Sequence, residues 1–318
     1  MSEHYLPATP ETVRWGSFSA AYPAVLTVRS GDRVTMDCVS GAPEDFPGPP
    51  FRILDDHRGI TEKCRRGPGP HFMTGPVWVE GAEPGDVLEV RVIDIRLRTN
   101  WGWNLIRPHR GALPADFPYL KCVHIEIDEA TMTAAPPWGG TLHLRPFFGV
   151  LGVAPPASYG EISSIEPREH GGNIDLKDLT VGTTLYLPIW NEGALFSAGD
   201  GHGMQGDGEV CLTALETCLS GTFELHLRKD LSLDLPEAET PTHVITLAFD
   251  PDLDDAATRA LRDMIKLITV RTGLSAEDAY RLCSLAADLR VTQVVDGNKG
   301  IHCMIEKAIL DDLIATRR

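Results

Sequence analysis

Apolar and polar residues alternate in short runs through the first two-thirds of the chain, with the period of strands rather than helices. Residues 25–28, the turn Ser30-Gly31-Asp32 and residues 34–39 read as strand, turn and strand. The same grammar recurs from Val77-Trp78-Val79-Glu80 through Glu83-Pro84-Gly85-Asp86 into residues 87–95, where Leu88, Val90 and Val92 alternate with Glu89, Arg91 and Ile93. That alternation predicts one buried and one wetter sheet face. In the intervening type II turn, Pro84 presets φ and Gly85 supplies φ > 0. Further strands are predicted over 121–127, 141–144 and 184–189. Between the first two units, residues 41–69 are rich in Pro and Gly and lack periodicity, which predicts a long surface loop of the kind that borders sites. No period of 20 to 50 residues repeats, which argues against a solenoid or propeller.

Near Pro236 the pattern changes. A strand over 244–249 precedes Leu253, Ala257, Ala260, Leu261, Met264, Ile265 and Ile268 at helical spacing, with Gly273 as the stop. Ser275 and Asp278 resemble a capping box that opens a second helix carrying Ala279, Leu282, Cys283, Ala286 and Leu289 on one face. Residues 291–295, the turn Asp296-Gly297-Asn298-Lys299-Gly300 and residues 301–305 predict a closing hairpin. The expected fold is therefore mainly β, sandwich- or barrel-like, with a smaller α+β C-terminal part. The expected division is a β-rich catalytic region, 1–235, and a region of two helices and a hairpin, 236–318, packed on it.

Composition narrows the partners. With 318 residues, 42% of them hydrophobic, the chain can bury a large core. Its 45 acidic and 29 basic residues give a net charge of -16, which repels phosphate backbones and anionic membranes, so neither nucleic acid nor membrane is an expected partner. The start has no basic-then-apolar leader and no segment approaches the ~20 apolar residues of a membrane span. The expected mature protein is the whole chain. The cysteines, Cys38, Cys64, Cys122, Cys211, Cys218, Cys283 and Cys303, form no CxxC pair and no disulfide-framework spacing. Reduced thiols in a cytoplasmic protein are expected.

The densest polar constellation is His170-Gly-Gly-Asn-Ile-Asp175 together with Gly199-Asp-Gly-His-Gly-Met-Gln-Gly-Asp-Gly-Glu209. Glycines let backbone approach a small ligand while carboxylates and imidazoles converge on it. The alternative is a solvated turn network in which Asp and Asn cap backbone amides. The match of Gly201–Gly206 to GxGxxG does not signal a nucleotide, because Asp200, Asp207 and Glu209 would meet a pyrophosphate with negative charge. A divalent metal, zinc first, is the more natural ligand. Asp200 and His202 offer donors two residues apart, and His170 and Asp175 add to them if the two loops face one another. There is no HExxH and no EF-hand loop. With a metal, an amide carbonyl is polarised and water activated, and Glu209 or Asp207 takes the proton. Cys211 is the rival nucleophile, although nearby acidic charge suppresses a thiolate. His71 stands where it can reach a site at the end of the sheet or serve as a structural hydrogen-bonding residue, and Asp37 lies in a strand, where Asp is disfavoured unless it has a role or an edge position.

These residues also carry a resemblance. The segments 74–90, 146–155 (PFFGVLGVAP), 170–175 (HGGNID) and 193–211 (GALFSAGDGHGMQGDGEVC), with 291–296 (VTQVVD), resemble the signature blocks of the acetamidase/formamidase family. The similarity runs over nearly the whole chain. It implies hydrolysis of a short linear amide to ammonia and a carboxylate, a β-rich fold with a smaller α+β part, and homo-oligomerisation. Asn173, Asp175, Asp200, His202, Gln205, Asp207 and Glu209 match the family pattern, with Gly203 where relatives often carry Ala. Asn173, Gln205, Asp207 and Glu209 are the implied catalytic set. Two other readings stay open: a small-amide or urea-binding protein on the same scaffold, and an enzyme for a larger or cyclic C–N substrate, with residues 41–69 and Trp101-Gly-Trp103 walling a bigger pocket.

Overall fold

A computed structural model describes residues 1–316 and shows two large sheets packed face to face, with helices gathered at the C-terminal end. The first sheet has nine strands, running from Glu3–Leu6 through Asp32–Asp37, Leu219–Arg228, Val87–Leu97 and Thr184–Pro188 to the C-terminal strands. The alternating run 87–95 is its centre: Leu88, Val90 and Val92 pair with Leu227, Leu225 and Phe223, and their side chains are buried while Arg91 is exposed. The second sheet has eleven strands, built around Phe196–Met204, which is flanked by Phe147–Gly152, Phe72–Val79 and Leu215–Glu216. Phe148 and Phe196 of this sheet meet Phe223 of the first at ring separations of 5.3 and 5.7 Å. Each such fully buried ring contributes about 1.5–3 kcal/mol, so this seam ties the layers together.

The glycine-rich segment expected to be loop is this central strand, buried over almost its whole length. Its glycines answer a packing demand: a Cβ on Gly199 would sit 2.2 Å from the Phe72 carbonyl oxygen of the next strand. Polar and glycine residues weaken strand propensity, which is why the pattern hid it. A second correction concerns residues 41–69, where the helix α1 (Asp55–Lys63) interrupts the expected loop and buries His57 and Ile60.

In the C-terminal part the first sheet continues without a break into Glu237–Glu239, His243–Asp250, Lys299–Glu306 and Ala287–Gln293. The helix α2 (Leu253–Thr272) is capped by Asp252 and closed by Gly273 at φ 71°. It is followed by α3 (Ala276–Ala286), whose cap Ser275 accepts from the Asp278 amide. Their apolar faces cover these strands in a second core of Val244, Ala260, Met264, Ile268, Cys283 and Ile305. Leu289 lies in the strand Ala287–Gln293 rather than on α3, because the helix ends at Ala286. A terminal helix, Lys307–Thr316, follows the last strand. No helix among the described residues is long and apolar enough to cross a membrane.

Candidate functional site

The strand Phe196–Met204 carries Asp200 and His202 into the interior, and Glu216 stands opposite His202 in the neighbouring strand. Asp175 follows the short strand Gly171–Asn173, and Asp296 comes from the turn between the last two strands of the first sheet. A bridge between Gly208 and Gln293, with Gly208 N–H donating to Thr292 O at 3.1 Å, fastens the 205–209 segment to that turn. Asp175, Asp200 and Glu209 hold φ at 54°, 57° and 44°, left-handed backbone that side chains seldom adopt and that concentrates at functional sites.

Three overlapping sets of ligand atoms each lie within 4.8 Å of one another: Asp175, Asp200 and His202; His202, Glu209 and Glu216; Asp175, Glu209 and Asp296. All six residues are buried. Gly149 keeps their meeting point open, since a Cβ there would lie 2.5 Å from Asp175 Oδ1, 2.6 Å from Asp200 Oδ2 and 2.8 Å from His202 Cε1. Both Asp175 oxygens and Asp296 Oδ2 are buried without a hydrogen-bond partner. An unpaired buried carboxylate is costly, so the cluster requires protons or a cation.

The titration behaviour follows from that geometry. Burial pushes Asp175 and Glu216 up to about 7, and pushes Glu209 and Asp296 well above the ordinary carboxyl range, with neighbouring carboxylates adding to it. Burial opposes charge on His202, but Glu216 and Asp200, 3.2 and 3.1 Å from its Nε2, outweigh it and raise the imidazole well above its usual value. Burial likewise opposes Asp200, yet His202 and His71 hold it below the usual range. Nε2 of His202 has no aligned hydrogen bond, whereas Nδ1 lies 3.0 Å from Gln205 Oε1. Gln205 in turn donates Nε2–H to the Asp175 carbonyl at 2.8 Å, so it fixes the ring orientation.

A cavity of about 260 Å³ opens on the cluster and is lined by His71, Asn173, Asp200, Glu209, Glu216 and Asp296 among others. Segment 41–69 and Trp103 help wall it. His71 reaches the cavity, with Nδ1 3.0 Å from Ser164 Oγ and Nε2 3.8 Å from Asp200 Oδ2, and burial lowers its pKa. Asn173 donates Nδ2–H to Ile165 O at 3.2 Å and leaves Oδ1 buried and unpartnered.

Four of the expected residues lie elsewhere. His170 belongs to none of the three sets: it packs edge-on against Phe18 at 5.1 Å, neither ring nitrogen has a partner, and burial drives its pKa down to about 3. Asp207 is held outward by Lys177 at 3.0 Å and Arg290 at 2.7 Å, consistent with its lowered pKa. Cys211 does not line the cavity, and burial rather than neighbouring charge raises its thiol pKa. Asp37 accepts from Tyr5 Oη at 2.6 Å and pairs with Arg98 at 3.3 Å, a structural role between strands. Glu216 and Asp296 were not anticipated. The signal for Glu216 was a carboxylate within the apolar run Ala214–Leu219; Asp296 closed a resembling block but read as a hairpin turn.

A sequence model of the Acetamidase/Formamidase family matches residues 12–163 and 157–311. The chain belongs to that family. It is 24% identical over 241 residues to a formamidase of Methylophilus methylotrophus, a match covering 59% of this chain and 57% of that protein. It is 27% identical over 298 residues to an acetamidase of Mycolicibacterium smegmatis, covering 75% and 69%. The matched part thus spans little more than half the length of the formamidase. The crystal structure of an acetamidase from Bacillus halodurans superposes with a TM-score of 0.85 at 30% identity, covering 97% of this chain and 99% of that one. The β-rich architecture with C-terminal helices is the architecture of this family.

Proposed function

We infer that the chain hydrolyses the C–N bond of a short linear amide, releasing ammonia and a carboxylate. The observation that carries this reading is the buried set Asp175, Asp200, His202 and Glu209, which meets a cavity through Asp200 and Glu209, in a chain that superposes on the Bacillus halodurans acetamidase over nearly its whole length. In the reaction, the water oxygen bonds to the carbonyl carbon and the C–N bond breaks. The nitrogen leaves as ammonia after taking a proton. Glu209, within reach of both His202 and Asp175, is the group that, once ionised, takes the water proton and returns it to the leaving nitrogen. Asn173 Oδ1, free to accept, orients the substrate amide through its N–H. Gln205 keeps His202 in place as above.

The donor chemistry also supports a divalent cation held by Asp175, Asp200 and His202, with Glu216 and Asp296 close by. The fit rests on the unpartnered Asp175 oxygens and on the space that Gly149 leaves. One imidazole with carboxylates suits zinc, and the oxygen-rich remainder also suits manganese. Such a cation supplies Lewis-acid polarisation of the carbonyl and a lowered pKa for water. Homo-oligomerisation belongs to this reading on the strength of the family match. A cytoplasmic location is in keeping with seven unpaired cysteines.

The test combines metal analysis of purified protein with ammonia release from formamide and acetamide. We expect about one equivalent of metal and turnover that His202→Ala removes while the protein stays folded. Binding of the amides without ammonia release would favour a binding protein instead.

A further inference from the structure

The cavity has two ends of opposite charge. Its buried end holds Asp200, Glu209, Glu216 and Asp296, whereas the exposed Arg107 and Arg110 line it on the solvent side. Surface arginines elsewhere are mixed: Arg29, Arg65 and Arg96 have carboxylate partners, whereas the exposed Arg52, Arg58, Arg145 and Arg262 form no ion pair among the described residues, and none of these four lines the cavity. Arg66, also on the cavity, is engaged by Glu44 at 2.7 Å and lies over the Trp15 ring. Arg107 and Arg110 make no ion pair among the described residues. Asp45 lines the cavity too; its Oδ2 accepts from the Ala42 amide at 3.1 Å, and Arg107 acts on it and on Glu44 only through the field, without an ion pair. What sets Arg107 and Arg110 apart is their place: two exposed guanidinium groups at the mouth of a cavity whose inner end is acidic, in a chain of net charge -16.

Size points the same way. A cavity of about 260 Å³ has room for on the order of nine waters at ~30 Å³ each. Formamide has three non-hydrogen atoms and acetamide four, so either leaves much of that volume unfilled. We propose that the preferred substrate is an amide whose far end carries a carboxylate, with Arg107 and Arg110 binding that carboxylate while the neutral amide enters the acidic end. The inference rests on the amidase reading above. A guanidinium fork matches a carboxylate in geometry and charge, and the acidic floor repels the same carboxylate, so the two ends together fix which way round the substrate enters.

The experiment compares succinamate with levulinamide, its neutral counterpart in which a methyl replaces the carboxylate oxygen, in the wild type and in Arg107→Gln, Arg110→Gln and the double variant. We expect kcat/KM for succinamate to exceed that for levulinamide by about tenfold or more, mostly through KM. That ratio should fall about fivefold in each single variant and further in the double one, since exposed charge-assisted contacts are weaker than buried ones. Succinate should inhibit the wild type competitively and lose affinity in the double variant. Equal or better turnover of levulinamide, or a ratio unmoved by the substitutions, overturns the proposal while leaving the amidase reading intact. Release of ammonia from neither amide, nor from formamide or acetamide, overturns both.

Discussion

Gly149→Ala adds one methyl group at the meeting point of the cluster. The new Cβ would lie 2.5 Å from Asp175 Oδ1, against the 3.4 Å at which ordinary contact begins, a deficit of about 0.9 Å. Two further contacts, 2.6 Å to Asp200 Oδ2 and 2.8 Å to His202 Cε1, close the other directions of escape. Gly149 lies within the buried strand Phe147–Gly152, and its carbonyl accepts from the Asp175 amide at 3.1 Å, so the methyl cannot move away by a loop shift. The carboxylates must therefore give way by close to an ångström. Displacement of that size from productive geometry costs roughly 10²-fold in rate. We expect kcat/KM for acetamide to fall about a hundredfold, with metal content reduced in parallel. Gly203→Ala on the adjacent strand is the control: its Cβ would meet only side-chain carbons of Leu215 and Leu144 at 3.3 Å or more, so turnover should stay within about twofold. Ammonia release, metal analysis and thermal unfolding on both variants read the outcome. A Gly149→Ala protein with wild-type turnover and metal content would refute the assignment of this cluster as the active centre.

Two other predictions come from titration and from the thiols. In metal-free protein, Asp175 and Glu216 have values raised by burial to about 7, so their stabilising contribution is complete below the ordinary carboxyl range near pH 4 and is lost as pH rises through about 7. Glu209, Asp296 and His202 are raised as well and act in the same sense, whereas the lowered Asp200 acts only at the acid end. The Tm in EDTA should therefore decline between about pH 5 and 8, and the gain in Tm on adding zinc should grow over that interval; a zinc effect that does not vary with pH would count against a metal bound by these groups. Cys211→Ala should keep ammonia release within about twofold of wild type, because the thiol lies off the cavity and its pKa is raised. Loss of turnover in that variant, with a covalent acyl-enzyme adduct on the wild type seen by mass spectrometry, would favour the thiol route.

How far the sequence revealed this arrangement depends on which signal each residue carries. Strands with one wet face, such as Val87–Leu97, announce themselves by alternation, and α2 by its spacing and its Gly273 stop. The strand Phe196–Met204 has no wet face, so alternation is absent. Its glycines are set by the backbone of neighbouring strands and imitate a loop. The polar residues of that strand were legible as a constellation, but their partners were not, because Glu216 and Asp296 join them through strand pairing and a distant hairpin. His170 and Asp207 show the converse: proximity in sequence to Asp175 and Glu209 said nothing of direction. A side chain two residues from another on a strand shares its face, as Asp200 and His202 would in regular geometry, but left-handed backbone at Asp175 and Glu209 breaks that rule. Those same turns bring three separate segments to one point. The decisive position, Gly149, has no functional group at all, and its role is visible only once the three side chains around it are placed. Sequence reading finds the groups that do chemistry; the hydrogen that makes room for them emerges from packing.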